Sequence, residues 1–146
     1  MVQAIKAGLL YFTGVFCVGF ILGGLRIMLL EPILGELLAV AIEVPVILVG
    51  CWILCARAIK LKEIPPRWPD RLVMGIIAFV CLFVGEVLLS IVFFGQTLTQ
   101  FLASFLLAAG LLGLGGQLLF ALFPLLQLPF YNRPPEPEQI EEEQHD

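Results

Sequence analysis

The sequence predicts an all-α integral membrane protein, a bundle of four transmembrane helices followed by a short acidic tail. Hydrophobic residues make up 60% of the 146-residue chain, and the mean hydropathy is +1.03. This is more apolar than a soluble domain of that size can be, because its surface needs polar cover. The chain also contains four apolar runs that each reach the roughly 20 residues needed to cross a bilayer. A membrane-spanning bundle accounts for both observations.

The four apolar runs give the expected spans. They cover residues 7–30, 34–56, 72–94 and 98–126. The first run is broken only by Arg26 near its end, and we expect a turn at Glu31-Pro32 before the second run begins. The fourth run ends near two prolines, at positions 124 and 129. We therefore expect the transmembrane domain to occupy residues 1–128.

The segment 129–146 differs from the rest of the chain in composition. It holds six Asp and Glu residues against one Arg, whereas residues 1–128 hold seven basic and six acidic residues. The acidity of the chain, whose net charge is −4, therefore lies in this tail. A Pro- and Glu-rich segment buries too little apolar surface to fold, so we expect the tail to be disordered. Nucleic-acid binding needs a basic face, which this composition does not suggest, so we expect no nucleic-acid partner.

The basic residues predict the orientation. Lys6 precedes the first span, Arg133 follows the last, and five more lie between the second and third spans: Arg57, Lys60, Lys62, Arg67 and Arg71. Basic residues in short loops favour the cytoplasmic side. We therefore expect both termini in the cytoplasm and the protein in a cytoplasmic membrane.

Charged residues inside the spans are the candidate site. A charge that faces lipid at mid-helix costs roughly 2.5–3.5 kcal/mol even on the mildest scale, so such residues should point into the bundle. Counting 1.5 Å per residue from the cytoplasmic ends puts Glu43 and Glu86 at similar depth in the outer half. Arg26 lies above them. We predict one polar cluster of Arg26, Glu43 and Glu86, with Glu36 at its rim and Gln117 joining from below.

This cluster has two interpretations, and the sequence leaves both open. In the structural one, Arg26 pairs with a glutamate and holds the helices together in a membrane protein of accessory type. In the functional one, a single Arg cannot neutralise both Glu43 and Glu86. The surplus carboxyl could then exchange a proton, as a small proton-linked transporter or channel requires. Four helices enclose little space, so transport would need a homo-oligomer, and the accessory role would need a larger membrane complex.

Other features of the spans are weaker predictors. Pro45 should kink the second span because it removes a backbone hydrogen bond. Gly19 and Gly23 form a small-xxx-small pattern that lets helices approach closely. Cys17, Cys51, Cys55 and Cys81 could hold a soft metal, but cysteine also packs as a small apolar residue and the spans contain no histidine. No hydrolase, zinc-protease or P-loop motif is present, so we predict no enzyme activity, metal or cofactor.

One stretch carries a resemblance. GFILGGLRIMLLEPILGELLAVAIEVP, residues 19–45, has Arg, Glu-Pro, Gly-Glu and Glu-x-Pro at spacings that resemble a group of small, uncharacterised four-span proteins of the bacterial inner membrane. The resemblance covers most of residues 8–125 and excludes the tail. It implies a bacterial cytoplasmic membrane, and it implies no activity and no site residues.

Overall fold

The structure, a computed structural model, describes residues 1–131, and this part of the chain is helical apart from short connections. The helices are α1 (Val2–Leu25), α2 (Glu31–Leu34), α3 (Glu36–Leu61), α4 (Trp68–Phe94), α5 (Leu98–Ser104), α6 (Ala108–Leu126) and α7 (Leu128–Tyr131). A π-helical segment, Arg26–Leu30, joins α1 to α2.

The prediction of an all-α chain with four long apolar helices is confirmed. Four continuous stretches are long and apolar enough to cross a membrane: Val2–Leu34, Glu36–Leu61, Trp68–Phe94 and Ala108–Phe130. Residues 132–146 of the predicted disordered tail lie outside the described residues, and its first three residues belong to α7.

The first connection differs from the turn expected at Glu31-Pro32. The helix continues through Pro32 and ends at Leu34. Proline lacks an amide hydrogen and cannot bond to the carbonyl four residues earlier. The chain accommodates it after the π-helical segment, where the Glu31 N–H donates to the Arg26 carbonyl five residues back. The reversal comes at Gly35, whose φ of +77° favours glycine.

The second helix runs without interruption from Glu36 to Leu61, with Pro45 inside it. Its hydrogen-bond pattern therefore tolerates the proline. The kink that we expect at Pro45 stays a prediction.

The fourth predicted span, 98–126, is divided in the structure. Thr97 caps the short helix α5, since its hydroxyl accepts from the Gln100 N–H and the Gln100 side chain accepts from the Thr97 N–H. The chain then breaks before α6 begins at Ala108. Gly110 lies so close to the Ser104 carbonyl that a Cβ there would overlap it. The membrane-length helix thus begins about ten residues later than the hydropathy run.

The four long helices form a closed ring in which each packs against two neighbours. Helix α1 contacts α3 and α4, and α6 contacts the same two helices. The first hairpin, α1 with α3, therefore lies beside the second hairpin, α4 with α6. Gly75 of α4 packs directly on the backbone of α6, because a Cβ there would overlap the Ala121 carbonyl.

The interior is packed more tightly at one end. We call the end that holds the start of α1 and the α3–α4 connection the basic end. The Tyr11 ring stacks on Phe120 at 4.4 Å between centroids, and its hydroxyl donates to the Phe120 carbonyl at 3.1 Å. The buried cluster around them also contains Ala7, Val15, Cys51, Cys55, Ala58, Ile59, Ile64, Met74, Ala78, Leu82 and Phe123. The opposite end has few buried residues: Ala39, Ser90, Phe101 and Ala109.

Candidate functional site: two intramembrane polar pairs

Four residues of the predicted cluster, Arg26, Glu43, Glu86 and Gln117, form two pairs, and no ion pair or hydrogen bond among the described residues joins them into the single cluster predicted. Arg26, in the π-helical segment, forms an ion pair with Glu43 of α3. Gln117 of α6 donates a hydrogen bond to Glu86 of α4. Within residues 1–131, no ion pair or hydrogen bond joins one pair to the other. Each hairpin therefore contains one polar pair that links its two helices.

The pair in the first hairpin has balanced charges. Arg26 Nε lies 2.7 Å from Glu43 Oε2, with the two side chains 21% and 15% exposed. Gly23, one turn before Arg26, faces the carboxylate, and a Cβ there would make an ordinary contact of 3.8 Å with Glu43 Oε1. The guanidinium and the carboxylate thus neutralise each other while both are mostly shielded.

The rim position that we predicted for Glu36 is taken by Glu31. Arg26 Nη1 lies 3.9 Å from Glu31 Oε1, and the Glu31 side chain is 29% exposed. Glu36 is exposed in the first turn of α3 and forms no ion pair within the described residues. A carboxylate there interacts favourably with the helix N-terminus, which is a structural reason for an acidic residue. We did not predict this contact of Glu31, because Arg26 and Glu31 are five residues apart and would not share a face of an α-helix.

The pair in the second hairpin has no cation. Gln117 Nε2 lies 2.5 Å from Glu86 Oε2, and within residues 1–131 no basic group forms an ion pair with Glu86. The Gln117 Oε1 atom is buried and makes no hydrogen bond within the described part of the chain. Among residues 1–131, the hydrogen-bond partner of the Glu86 carboxylate is therefore a neutral amide.

Two further polar residues continue from Glu86 towards the surface. Ser90 lies one turn after Glu86 on α4, on the same face, and is 6% exposed. Its hydroxyl donates to Gln96 Oε1 at 2.6 Å. Gly95, with φ of +62°, reverses the chain so that Gln96, which is exposed, reaches back to Ser90. We did not predict a role for Ser90 or Gln96, although the four-residue spacing of Glu86 and Ser90 places both on one face of a helix.

The two pairs belong to neighbouring helices. Gly116, the neighbour of Gln117, packs on Val44, the neighbour of Glu43, since a Cβ there would lie 3.4 Å from Val44 Cγ1. On the other side of the bundle, Gly85, the neighbour of Glu86, packs on the Phe16 ring of α1. The similar depth of Glu43 and Glu86 that residue counting predicts stays a prediction.

The glycines of the small-xxx-small pattern lie at the α1–α3 contact. Gly19 packs against Ile47, since a Cβ there would lie 3.2 Å from Ile47 Cδ1. Gly23, four residues after Gly19, faces Glu43. Both glycines thus lie where α1 contacts α3, beside the ion pair.

The cysteines of the described residues do not lie close enough together to form a metal site. Cys51 and Cys55 are buried in the apolar core, Cys17 is exposed and Cys81 is intermediate. Within residues 1–131, no group of three or more His, Cys, Asp or Glu side chains could hold a metal ion. The two polar pairs are the candidate site that remains.

No family model, curated protein or solved structure was found to match this chain. The two polar pairs differ in what they can do chemically. The first can hold helices together, and the second can hold a proton.

Proposed function

We propose that this chain is a small multi-pass protein of the bacterial cytoplasmic membrane that acts as a structural or accessory subunit and has no enzyme activity of its own. The observation that carries the proposal is the 2.7 Å contact between Arg26 Nε and Glu43 Oε2. It pairs the Arg26 guanidinium with a carboxylate and links the π-helical segment that follows α1 to α3. Losing either partner of such a pair destabilises a bundle, because the remaining charge is then shielded from water without a counter-charge.

The packing of the basic end supports the same proposal. The Tyr11 and Phe120 rings stack on each other between α1 and α6, which lie diagonally across the ring of helices. The centre of the bundle is thus occupied there by aromatic side chains instead of a polar passage. A protein that needs no passage through one copy is compatible with this arrangement.

The distribution of basic residues supports an orientation with both termini in the cytoplasm. Lys6 of α1 and Lys62 after α3 line one cavity, so the first span and the α3–α4 connection present cations at the same end. The positive-inside rule assigns such an end to the cytoplasm. The tail would then lie on the cytoplasmic side as well.

The accessory role predicts two results. Purification from its own membranes in a mild detergent should recover a second, different membrane protein in constant ratio with this chain. The purified chain in liposomes with a pH-sensitive dye inside should pass no more protons than liposomes without protein. Recovery of this chain alone, together with proton flux above the protein-free level, would overturn the accessory role.

A second candidate function, a small proton-linked transporter or channel, is favoured by Glu86. A carboxyl inside a membrane is costly and usually has a partner of opposite charge. Glu86 has a neutral amide instead, and one turn further along α4 Ser90 donates a separate hydrogen bond to the exposed Gln96. Such a carboxyl can take up and release a proton. Because one bundle encloses little space, we place the remainder of the path between at least two copies.

The two candidate functions separate in one assay. If the chain carries protons, Glu86→Gln should abolish the flux in liposomes, because an amide cannot exchange a proton. Glu36→Gln is the matched control, since this exposed glutamate forms no ion pair within the described residues. Flux that survives Glu86→Gln would exclude Glu86 as the proton-carrying group.

A further inference from the structure

A cavity of about 260 Å³ opens at the basic end of the first hairpin. It is lined by Gln3 and Lys6 near the start of α1 and by Leu61, Lys62 and Glu63 at the end of α3. Because α1 and α3 are adjacent and antiparallel, the cavity lies where both apolar spans end. This is the depth at which lipid headgroups lie.

The charges around the cavity are unpaired within it. Lys6 and Lys62 make no ion pair or side-chain hydrogen bond with any group in residues 1–131, and the Glu63 carboxylate lies beyond 4 Å from both ammonium groups. Two cations and one carboxylate give the lining a net charge of +1. One phosphodiester, with a charge of −1, balances it.

The backbone at the cavity is held in place by the end of α3. Glu63 has φ of +49°, a conformation that few residues other than glycine adopt. It is fixed by a hydrogen bond from the Glu63 N–H to the Lys60 carbonyl and another from the Ile64 N–H to the Ile59 carbonyl. Ile64 is buried in the core, 5% exposed. The backbone on the α3 side of this open cavity is therefore held by the protein's own hydrogen bonds.

Two large apolar side chains are exposed at this end of the bundle. Leu61, in the lining, is 71% exposed, and Trp68, at the start of α4, is 65% exposed. Tryptophan is enriched at the interface because its ring is apolar while its N–H can bond to headgroups. Leu61 offers an apolar contact next to the two lysines, as the glycerol and first acyl carbons of a lipid require.

We propose that this cavity binds the headgroup of one membrane phospholipid. Lys6 and Lys62 hold the phosphodiester, Glu63 accepts hydrogen bonds from headgroup hydroxyl or ammonium groups, and Leu61 contacts the acyl region. Basic pockets beside transmembrane helices bind anionic lipids by the same charge complementarity. The proposal is independent of the accessory or transport function, since it requires only a bundle that lies in a bilayer.

The test uses native mass spectrometry of the full chain in detergent, titrated with phosphatidylglycerol, phosphatidylethanolamine and phosphatidylcholine. We expect phosphatidylglycerol to bind most tightly and phosphatidylcholine, which lacks headgroup donors, least. Lys6→Gln and Lys62→Gln should each weaken phosphatidylglycerol binding about fivefold, as expected for one lysine near a lipid surface. Lys60→Gln, which removes the same charge two residues from Lys62 and outside the lining, is the matched control.

Three outcomes would overturn the proposal. Equal losses in Lys60→Gln and Lys62→Gln would mean diffuse attraction to the basic end. Displacement of the lipid by inorganic phosphate at the same concentration would mean a site for free phosphate. A gain in lipid binding when Glu141, Glu142 and Glu143 are changed to Gln would mean that the chain's own tail occupies the cavity.

Discussion

The two hairpins place their polar residues alike but balance the charges differently. In the first hairpin a guanidinium meets a carboxylate, Arg26 with Glu43. In the second, a carboxylate meets a neutral amide, Glu86 with Gln117. The first pair therefore cancels its own charge, whereas the second leaves a group that can hold or release a proton. A polar pair between two helices thus includes a counter-charge in one hairpin and a neutral partner in the other.

This difference has an energetic reason. Removing one partner of a shielded ion pair leaves an uncompensated charge, which is strongly destabilising. A hydrogen bond to a charged group contributes about 1.5–3 kcal/mol, whereas breaking a fully buried ion pair costs about 3–5 kcal/mol. Replacing Glu86 by glutamine removes the charge while keeping an acceptor for Gln117. The first hairpin should therefore depend on its charges, and the second should not.

The largest effect is expected for Arg26→Gln. It leaves Glu43 and Glu31 as neighbouring carboxylates without a cation. We expect the free energy of unfolding in mixed micelles to fall by about 1–3 kcal/mol, less than for a fully buried pair because both side chains keep some exposure.

Arg67→Gln provides the control for this substitution. Arg67 is 74% exposed and lies 3.7 Å from Asp70, so its loss should change stability by less than ~0.5 kcal/mol. Equal losses in the free energy of unfolding for Arg26→Gln and Arg67→Gln would contradict a structural role for Arg26.

The next effect is expected for Gln117→Leu, which fills the same space without a hydrogen-bond donor. Glu86 would lose its amide partner, and we expect a loss of about 1–2 kcal/mol in the free energy of unfolding. Combined with Glu86→Gln, the change should cost less than the two single changes together, because the pair is coupled. Additive losses in this cycle would mean that the Glu86–Gln117 contact contributes nothing to stability.

The smallest effect is expected for Glu31→Gln. The Arg26–Glu31 contact spans 3.9 Å at a partly exposed site, and pairs of this kind contribute little. We expect a change of less than ~0.5 kcal/mol in the same unfolding measurement. A loss as large as that of Arg26→Gln would mean that Glu31, and not Glu43, is the main partner of the guanidinium.

The spans were predictable from the sequence because hydropathy and length alone decide them. The contact of Arg26 with Glu43 was predictable too, since a charge in a span needs a partner. The displaced turn was not. Glu-Pro is a common turn signal, but proline is also tolerated in the first turn of a helix. Here Pro32 lies in the first turn of α2, directly after the π-helical segment, so the helix continues past it.

The division of the fourth span was hidden for a different reason. The residues around the break at 105–107 are almost uniformly apolar, so hydropathy continues across it. The Thr97-x-x-Gln100 capping box and Gly110 were the available signals. Residue counting also predicted one cluster instead of two pairs, because it estimates depth and says nothing about which neighbour a helix face meets.

The most direct test compares Glu43→Gln with Glu86→Gln, two identical changes in the two hairpins, by unfolding in the same mixed micelles. We predict that Glu43→Gln is less stable than wild type, because Arg26 loses its carboxylate, and that Glu86→Gln is at least as stable as wild type. Equal destabilisation of both variants, or a stable Glu43→Gln beside an unstable Glu86→Gln, would contradict the claim that the fold depends on the charge of the first pair and not on the charge of the second.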